Sequence, residues 1–157
     1  MELANITNRE AQDFVESIVS RCPQVELPLK HIFTPSLYTR VIQMPAGTIV
    51  CSRVHKYDSP FFLLEGRCSL VDHEGNREEL VAPHIGVTKA GTRRTILVHE
   101  NTVWAGCFVT QETDPDKITD MFTDAADESL LPEGFQQACY EKPRLTGSRK
   151  EELPCAS

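Results

Sequence analysis

Apolar and polar positions alternate in short runs through the middle of the chain and take a helical period only towards its two ends. The runs 37–44, 48–54, 60–64, 68–72, 79–82, 86–88, 95–99 and 102–110 are rich in β-branched and aromatic residues, which suit a pleated, half-buried surface. Turn residues separate them: Pro45-Ala46-Gly47, Glu65-Gly66, Glu74-Gly75-Asn76 and Lys89-Ala90-Gly91. Eight short strands at this spacing predict an antiparallel barrel or sandwich, and no helical insertion among them supports a parallel sheet. Before them, residues 8–21 predict a helix. Thr7 and Glu10 make a capping box, and Ala11, Phe14, Val15, Ile18 and Val19 share one face. Cys22-Pro23 ends it. That apolar face is expected to pack on the domain or on a second subunit. After the strands, Asp114 and Pro115 can cap a second helix with Ile118, Met121 and Phe122 as its apolar side.

Composition narrows the function classes. The chain has 157 residues, 40% hydrophobic and 25% charged, which is ordinary for one globular domain. Its net charge of −7 argues against sequence-independent nucleic-acid binding, and Thr92-Arg93-Arg94 is too short a basic cluster for a duplex. No apolar run approaches a membrane span, and MELANITNREAQDF is unlike a secretory signal, so a cytoplasmic protein is expected. Residues 111–140 hold one base against eight acids. This charge shift divides the chain into an N-terminal helix over 1–24, a barrel over 25–112, a helical acidic segment over 113–140 and a disordered tail over 141–157. The six cysteines, Cys22, Cys51, Cys68, Cys107, Cys139 and Cys155, show no C-x-x-C pair and read as free thiols. Of the five histidines, His73 lies in the turn DHEGN and is expected to face solvent. A site built from His55, His84 and His99 is conceivable but matches no metal-ligand spacing.

The stretch PAGTIVCSRVHKYDSPFFLLEG, residues 45–66, resembles the first motif of the cupin superfamily, and APHIGVTKAGTRRTILVHENTVW, residues 82–104, resembles the second. CSLVDHEGNREEL resembles the hairpin that joins them. The flanking phrases PQVELPLKHIFTPSLYTR and TQETDPDKITDMF are similar to those of small single-domain cupin-like proteins of phages and prophages. The resemblance implies a mainly β fold, a cupin-type jelly-roll barrel with a short helix at each end. It also implies a homodimer and a site inside the barrel. Cupin enzymes hold a metal on two or three His and one Glu. Here those positions carry Arg53, His55, Ser59 and Arg94, so one ligand of four survives and no cofactor is expected.

What replaces the ligands suggests an anion site. Alternate residues of a strand share a face, so Arg53 and His55 could both point inward, with Arg94 arriving from the second motif. Ser59 would add a hydroxyl, and Tyr38 and Arg40 could line the same cavity. Planar guanidinium donors suit carboxylate or phosphate. The expected function is therefore a metal-free module binding a small anionic ligand, such as a nucleotide, sugar phosphate or carboxylate. In a phage setting it would sequester or modify a host metabolite. Acid–base isomerase, epimerase or lyase chemistry through His55 is the enzyme alternative. A third reading is a filled, structural barrel in which Arg53 and Arg94 each pair with a carboxylate such as Asp58, Glu65 or Glu100, or in which residues 50, 52 and 54 are the inward set and Arg53 lies outside.

Overall fold

The computed structural model describes residues 8–124, so Thr7, Cys139, Cys155 and the segment 141–157 lie outside the described residues. The elements in chain order are α1 (Asn8–Val19), β1 (Leu29–Thr34), β2 (Leu37–Met44), β3 (Ile49–Cys51), β4 (Val54–His55), β5 (Ser59–Glu65) and β6 (Arg67–Asp72). They continue with β7 (Arg77–Val81), β8 (His84–Thr88), β9 (Arg94–Val98), β10 (Thr102–Val109), α2 (Pro115–Phe122) and β11 (Thr123–Asp124).

The strands form a five-stranded sheet in the order β1-β2-β10-β5-β8, a four-stranded sheet in the order β3-β9-β6-β7, and a small pair, β11-β4. All pairings are antiparallel. The long connections join strands near the two ends of the barrel sequence, so β2 meets β10 and β3 meets β9, with the middle strands nested inside. That strand order is a jelly roll, and the protein is mainly β with the cupin-type double-stranded architecture. The core lies between the two sheets, where Met44, Phe61, Leu63, Cys68, Leu70, Leu80, Ile96 and Val98 pack together. Each of the large apolar side chains contributes about 1.5–3 kcal/mol by leaving water. Gly66 makes the β5–β6 turn at φ +84, and any Cβ there would collide with the Asn101 carbonyl.

Three details depart from the sequence pattern. The run 48–54 breaks at Ser52-Arg53, because the Ser52 N–H donates to the Arg94 carbonyl and its Oγ accepts the Arg94 N–H, which ends the regular ladder. The strand β1 is additional; Lys30 and His31 interrupt its apolar pattern, but as an edge strand it needs only one partner, β2. Helix α1 docks by its polar side. Gln12 is buried and its Nε2 donates to the carbonyls of Val71 and Arg93 at 3.1 and 3.3 Å. Arg93, also buried, pairs with Asp13 at 2.5 Å and with Glu16. The helix sits on strand ends whose carbonyls and cation need polar partners, so Phe14 and Ile18 are left exposed, contrary to the expected packing on this domain. His73 is likewise not fully solvated: its Nδ1 is buried, with no hydrogen-bond partner among the described residues.

At the other end, Asp114 caps α2 by accepting from the Asp116 N–H, and Pro115 occupies the first turn. Ile118 is buried against Tyr38 and Phe108, with Phe122 alongside, while Met121 faces solvent. No helix among the described residues is long and apolar enough to cross a membrane.

Candidate functional site

The inner face of the five-stranded sheet is set by alternation and register. On β2 the inward series is Tyr38, Arg40, Ile42 and Met44, lying opposite Phe108, Gly106, Trp104 and Thr102 of β10. Arg40 therefore faces a glycine, which leaves room for its long side chain. Its guanidinium lies 5.8 Å from the centroid of the Phe108 ring. Ser59, Phe61 and Leu63 point inward from β5, and His84, Gly86 and Thr88 from β8. Phe61 stacks on Trp104 at 4.3 Å and 11°, and on His84 at 5.8 Å and 28°.

The opposite sheet contributes Arg94, which begins β9. Its Nη1 donates to Thr88 Oγ1 at 2.8 Å, and its guanidinium lies 5.1 Å from the Phe61 centroid. His55, on β4, places Nδ1 3.5 Å from Ser59 Oγ. Burial, reinforced by the positive charges of Arg40 and Arg94, lowers the His55 pKa to about 4. The imidazole is neutral at neutral pH. Burial also lowers the pKa of both guanidinium groups. Tyr38 opposes that shift at Arg40, and Glu78 and Asp72 oppose it at Arg94. Tyr38 shares a 2.7 Å hydrogen bond with His31 Nδ1. Burial raises the Tyr38 phenol and lowers the His31 imidazole, the latter helped by Arg40.

Arg53, Lys56, Arg67, Lys89 and Arg93 each form an ion pair with a carboxylate. Arg21, Lys30, Arg77 and Lys117 form none among the described residues, but all four are exposed to water. Among the described residues, neither Arg40 nor Arg94 forms one. Asp72 lies across from Arg94 in the β6–β9 register, but its carboxylate is held in the turn by the N–H groups of Glu74 and Asn76 and by Asn76 Nδ2.

The structure thus gathers His55, Ser59, Arg94 and Arg40, with Tyr38 at one flank. It separates Arg53 from them. The break at Ser52 resets the alternation, and Arg53 Nη1 pairs with Asp120 of α2 at 3.2 Å while its Nε donates to the Asp124 carbonyl at 3.4 Å. Asp58, expected as a carboxylate partner for Arg53 in the filled-barrel reading, instead accepts from Lys89 Nζ at 2.7 Å and from the Ala90 N–H at 2.8 Å. The aromatic lining of Phe61, Trp104 and Phe108 was not picked out from the sequence, although the alternation in 59–63 and 102–108 placed those rings on one face.

The donor set does not fit a cupin metal. His55 is the one imidazole at a motif position, beside a hydroxyl and a guanidinium that repels cations. His84 stacks on Phe61, whereas His99 bonds Ser69 Oγ at 2.6 Å on the outer side of the four-stranded sheet, so His55, His84 and His99 do not converge. Among the described residues no group of three His, Cys, Asp or Glu side chains is placed to hold a metal ion.

No protein-family model matches this sequence, and no curated protein matches it. Solved structures do. KdgF from Halomonas sp. is 15% identical, with 62% of this chain and 90% of that chain covered and a TM-score of 0.49. A protein with a double-stranded beta-helix domain from Klebsiella pneumoniae is 16% identical over 60% and 85%, also at 0.49. An acetylacetone dioxygenase from Acinetobacter johnsonii is 18% identical over 56% and 66%, at 0.45. At these identities and TM-scores none of them assigns this chain an activity, a ligand or a residue role.

Proposed function

We propose that the protein is a cupin-like module that binds a small anion inside its barrel, between Arg40, Arg94 and His55. One observation carries this reading: two inward guanidinium groups have no carboxylate partner among the described residues and are partly withdrawn from water, whereas the other unpaired cations Arg21, Lys30, Arg77 and Lys117 are exposed. Removing such charges from water without compensation is costly. A phosphate or carboxylate would accept planar donors from both arginines and a hydroxyl bond from Ser59. The rings of Phe61, Trp104 and Phe108 supply an apolar wall, which suits a phosphorylated sugar, a nucleotide or an organic acid better than a bare ion.

A second reading is favoured by the neutrality of His55. An uncharged imidazole beside two cations is free to accept a proton, and a substrate anion held by the arginines would raise its pKa from about 4 towards the working range of a general base. In that case the module turns its ligand over by isomerisation, epimerisation or elimination.

The test is native mass spectrometry of the purified full-length chain, followed by titration with inorganic phosphate, a sugar phosphate, a nucleotide and a dicarboxylate. Binding that falls at least about tenfold in both Arg40→Ala and Arg94→Ala supports the site. Binding that survives both variants rejects it. Turnover lost in His55→Ala with binding retained would establish the second reading.

A further inference from the structure

Two glycines lie on the inner face of the five-stranded sheet with a phenylalanine between them. Register sets His31, Arg40, Gly106, Phe61 and Gly86 side by side in one row across the sheet. The Phe61 ring leans over Gly86 and takes the place of a side chain there. Over Gly106 nothing does. A Cβ on Gly106 would meet the Phe108 ring at 3.4 Å, which is ordinary contact, and no other described residue beyond its chain neighbours comes within 4 Å of it, Arg40 and Phe61 included. The backbone at Gly106 is regular strand without a positive φ, so its conformation does not call for glycine. Glycine inside a strand is less stable than alanine, and its usual meaning is that something approaches the backbone closely. Arg40, Trp104 and Gly106 all face inward yet stay partly exposed, so solvent reaches this spot.

We infer that Gly106 is the floor of the ligand site and makes it specific for an anion carried on a single ring. This rests on the anion reading proposed above. The open floor is bounded across the sheet by Arg40 and Phe61, and along β10 by Trp104 and Phe108. Those last two are roughly 13 Å apart at their Cα atoms, and their own rings take up part of that span. The remainder accepts one ring and not two fused ones. Strand β10 is paired on both sides, so the floor offers no free donor or acceptor. It suits the face of a ring and not a polar edge. A ring seated there has aromatic walls at both ends, and its anionic substituent reaches the Arg40 guanidinium, which already lies against Phe108. A bare ion would leave the floor uncovered.

The experiment is calorimetric titration of the full-length chain and of Gly106→Ala with inorganic phosphate, glucose 1-phosphate and phenyl phosphate. The two ring compounds separate a saturated body from an aromatic one. In the parent, at least one of them should bind at least about tenfold more tightly than inorganic phosphate. In Gly106→Ala that advantage should disappear, while the dissociation constant for inorganic phosphate changes by less than about twofold. Melting followed by circular dichroism should give a temperature equal to or above the parent's, because the added methyl group meets the protein only in ordinary contact. Ring compounds that bind the parent no better than inorganic phosphate overturn the inference and leave the anion site standing. A Gly106→Ala chain that keeps the full advantage does the same. A variant that unfolds overturns it as well, since the protein itself would then need the space. If none of the three anions binds the parent, the anion reading falls and this inference falls with it.

Discussion

Gly86 and Phe61 lie opposite each other in the β5–β8 ladder, and a Cβ built on Gly86 would stand 2.5 Å from the Phe61 ring. The ring occupies the space a side chain would take, and this lets it stack on Trp104 and sit under Arg94. Gly86→Ala should therefore displace the ring and cost about 1–3 kcal/mol, the usual range for overpacking a core. Urea denaturation measures the loss. Phosphate or nucleotide titration should show weaker binding in the same variant, since Arg94 loses its platform. Unchanged stability would mean that the ring has other room.

The interior arginines make a prediction with two opposite signs. Arg40→Met replaces a half-buried cation, unpaired among the described residues, by an apolar chain of similar length. Even buried ion pairs can be replaced by apolar side chains with a neutral or stabilising effect of about 1–4 kcal/mol, and a cation without its partner has less attraction to lose. The variant should melt at the same temperature or higher while losing anion binding. A lower melting temperature together with intact binding would show that Arg40 serves the fold and not a ligand.

His55 gives the pH dependence. Its folded pKa of about 4 lies below the ordinary 6.5, so the unfolded chain takes up the proton first as the pH falls. Its contribution is complete above pH 6.5 and is lost progressively towards pH 4. Each pKa unit is worth about 1.4 kcal/mol, so the loss across that window is on the order of 3 kcal/mol. Chemical denaturation of His55→Gln over the same window should show a flatter acid limb than the parent. Parallel limbs would sink the assignment. A bound anion stabilises the imidazolium, and should flatten the parent's limb as well.

Arg93 is the anchor of α1. Arg93→Ala leaves Asp13 and Glu16 without their cation, and breaking a buried pair in this way costs about 3–5 kcal/mol unless the helix departs. Departure is the expected outcome. Amide hydrogen exchange over residues 8–19 should accelerate sharply while β2, β5 and β10 keep their protection. Uniform acceleration across the chain would instead mark α1 as integral to the barrel.

The barrel strands were legible because their period is 2 and their turns carry glycine. Gly47, Gly66, Gly75 and Gly91 all have positive φ at the positions where the chain reverses. The site was legible in part. His55, Arg94, Ser59, Tyr38 and Arg40 come from four separate strands. The motif resemblance pointed to His55, Ser59 and Arg94, and Tyr38 and Arg40 were expected from an earlier strand; Arg53 shows where that reasoning stops. A strict alternation from His55 puts it inside, but two hydrogen bonds between Ser52 and Arg94 break the strand, and such long-range contacts have no local trace in a sequence. Helix α1 was legible as a helix, but the side by which it docks on this domain was not, for a related reason. Its apolar stripe is plain, yet the docking partner is a set of carbonyls and one arginine some eighty residues away.

The diversion of Arg53 from the barrel adds a salt-sensitive margin to α2. It holds Asp120, and Lys56 holds Asp124, so two solvent-exposed ion pairs latch the α2–β11 arm beside His55. Contacts of that kind are individually weak and are screened by salt. High salt should therefore weaken these two contacts while the arm stays in place, because Ile118 and Phe122 pack against Tyr38 and Phe108 and burial does not respond to ionic strength.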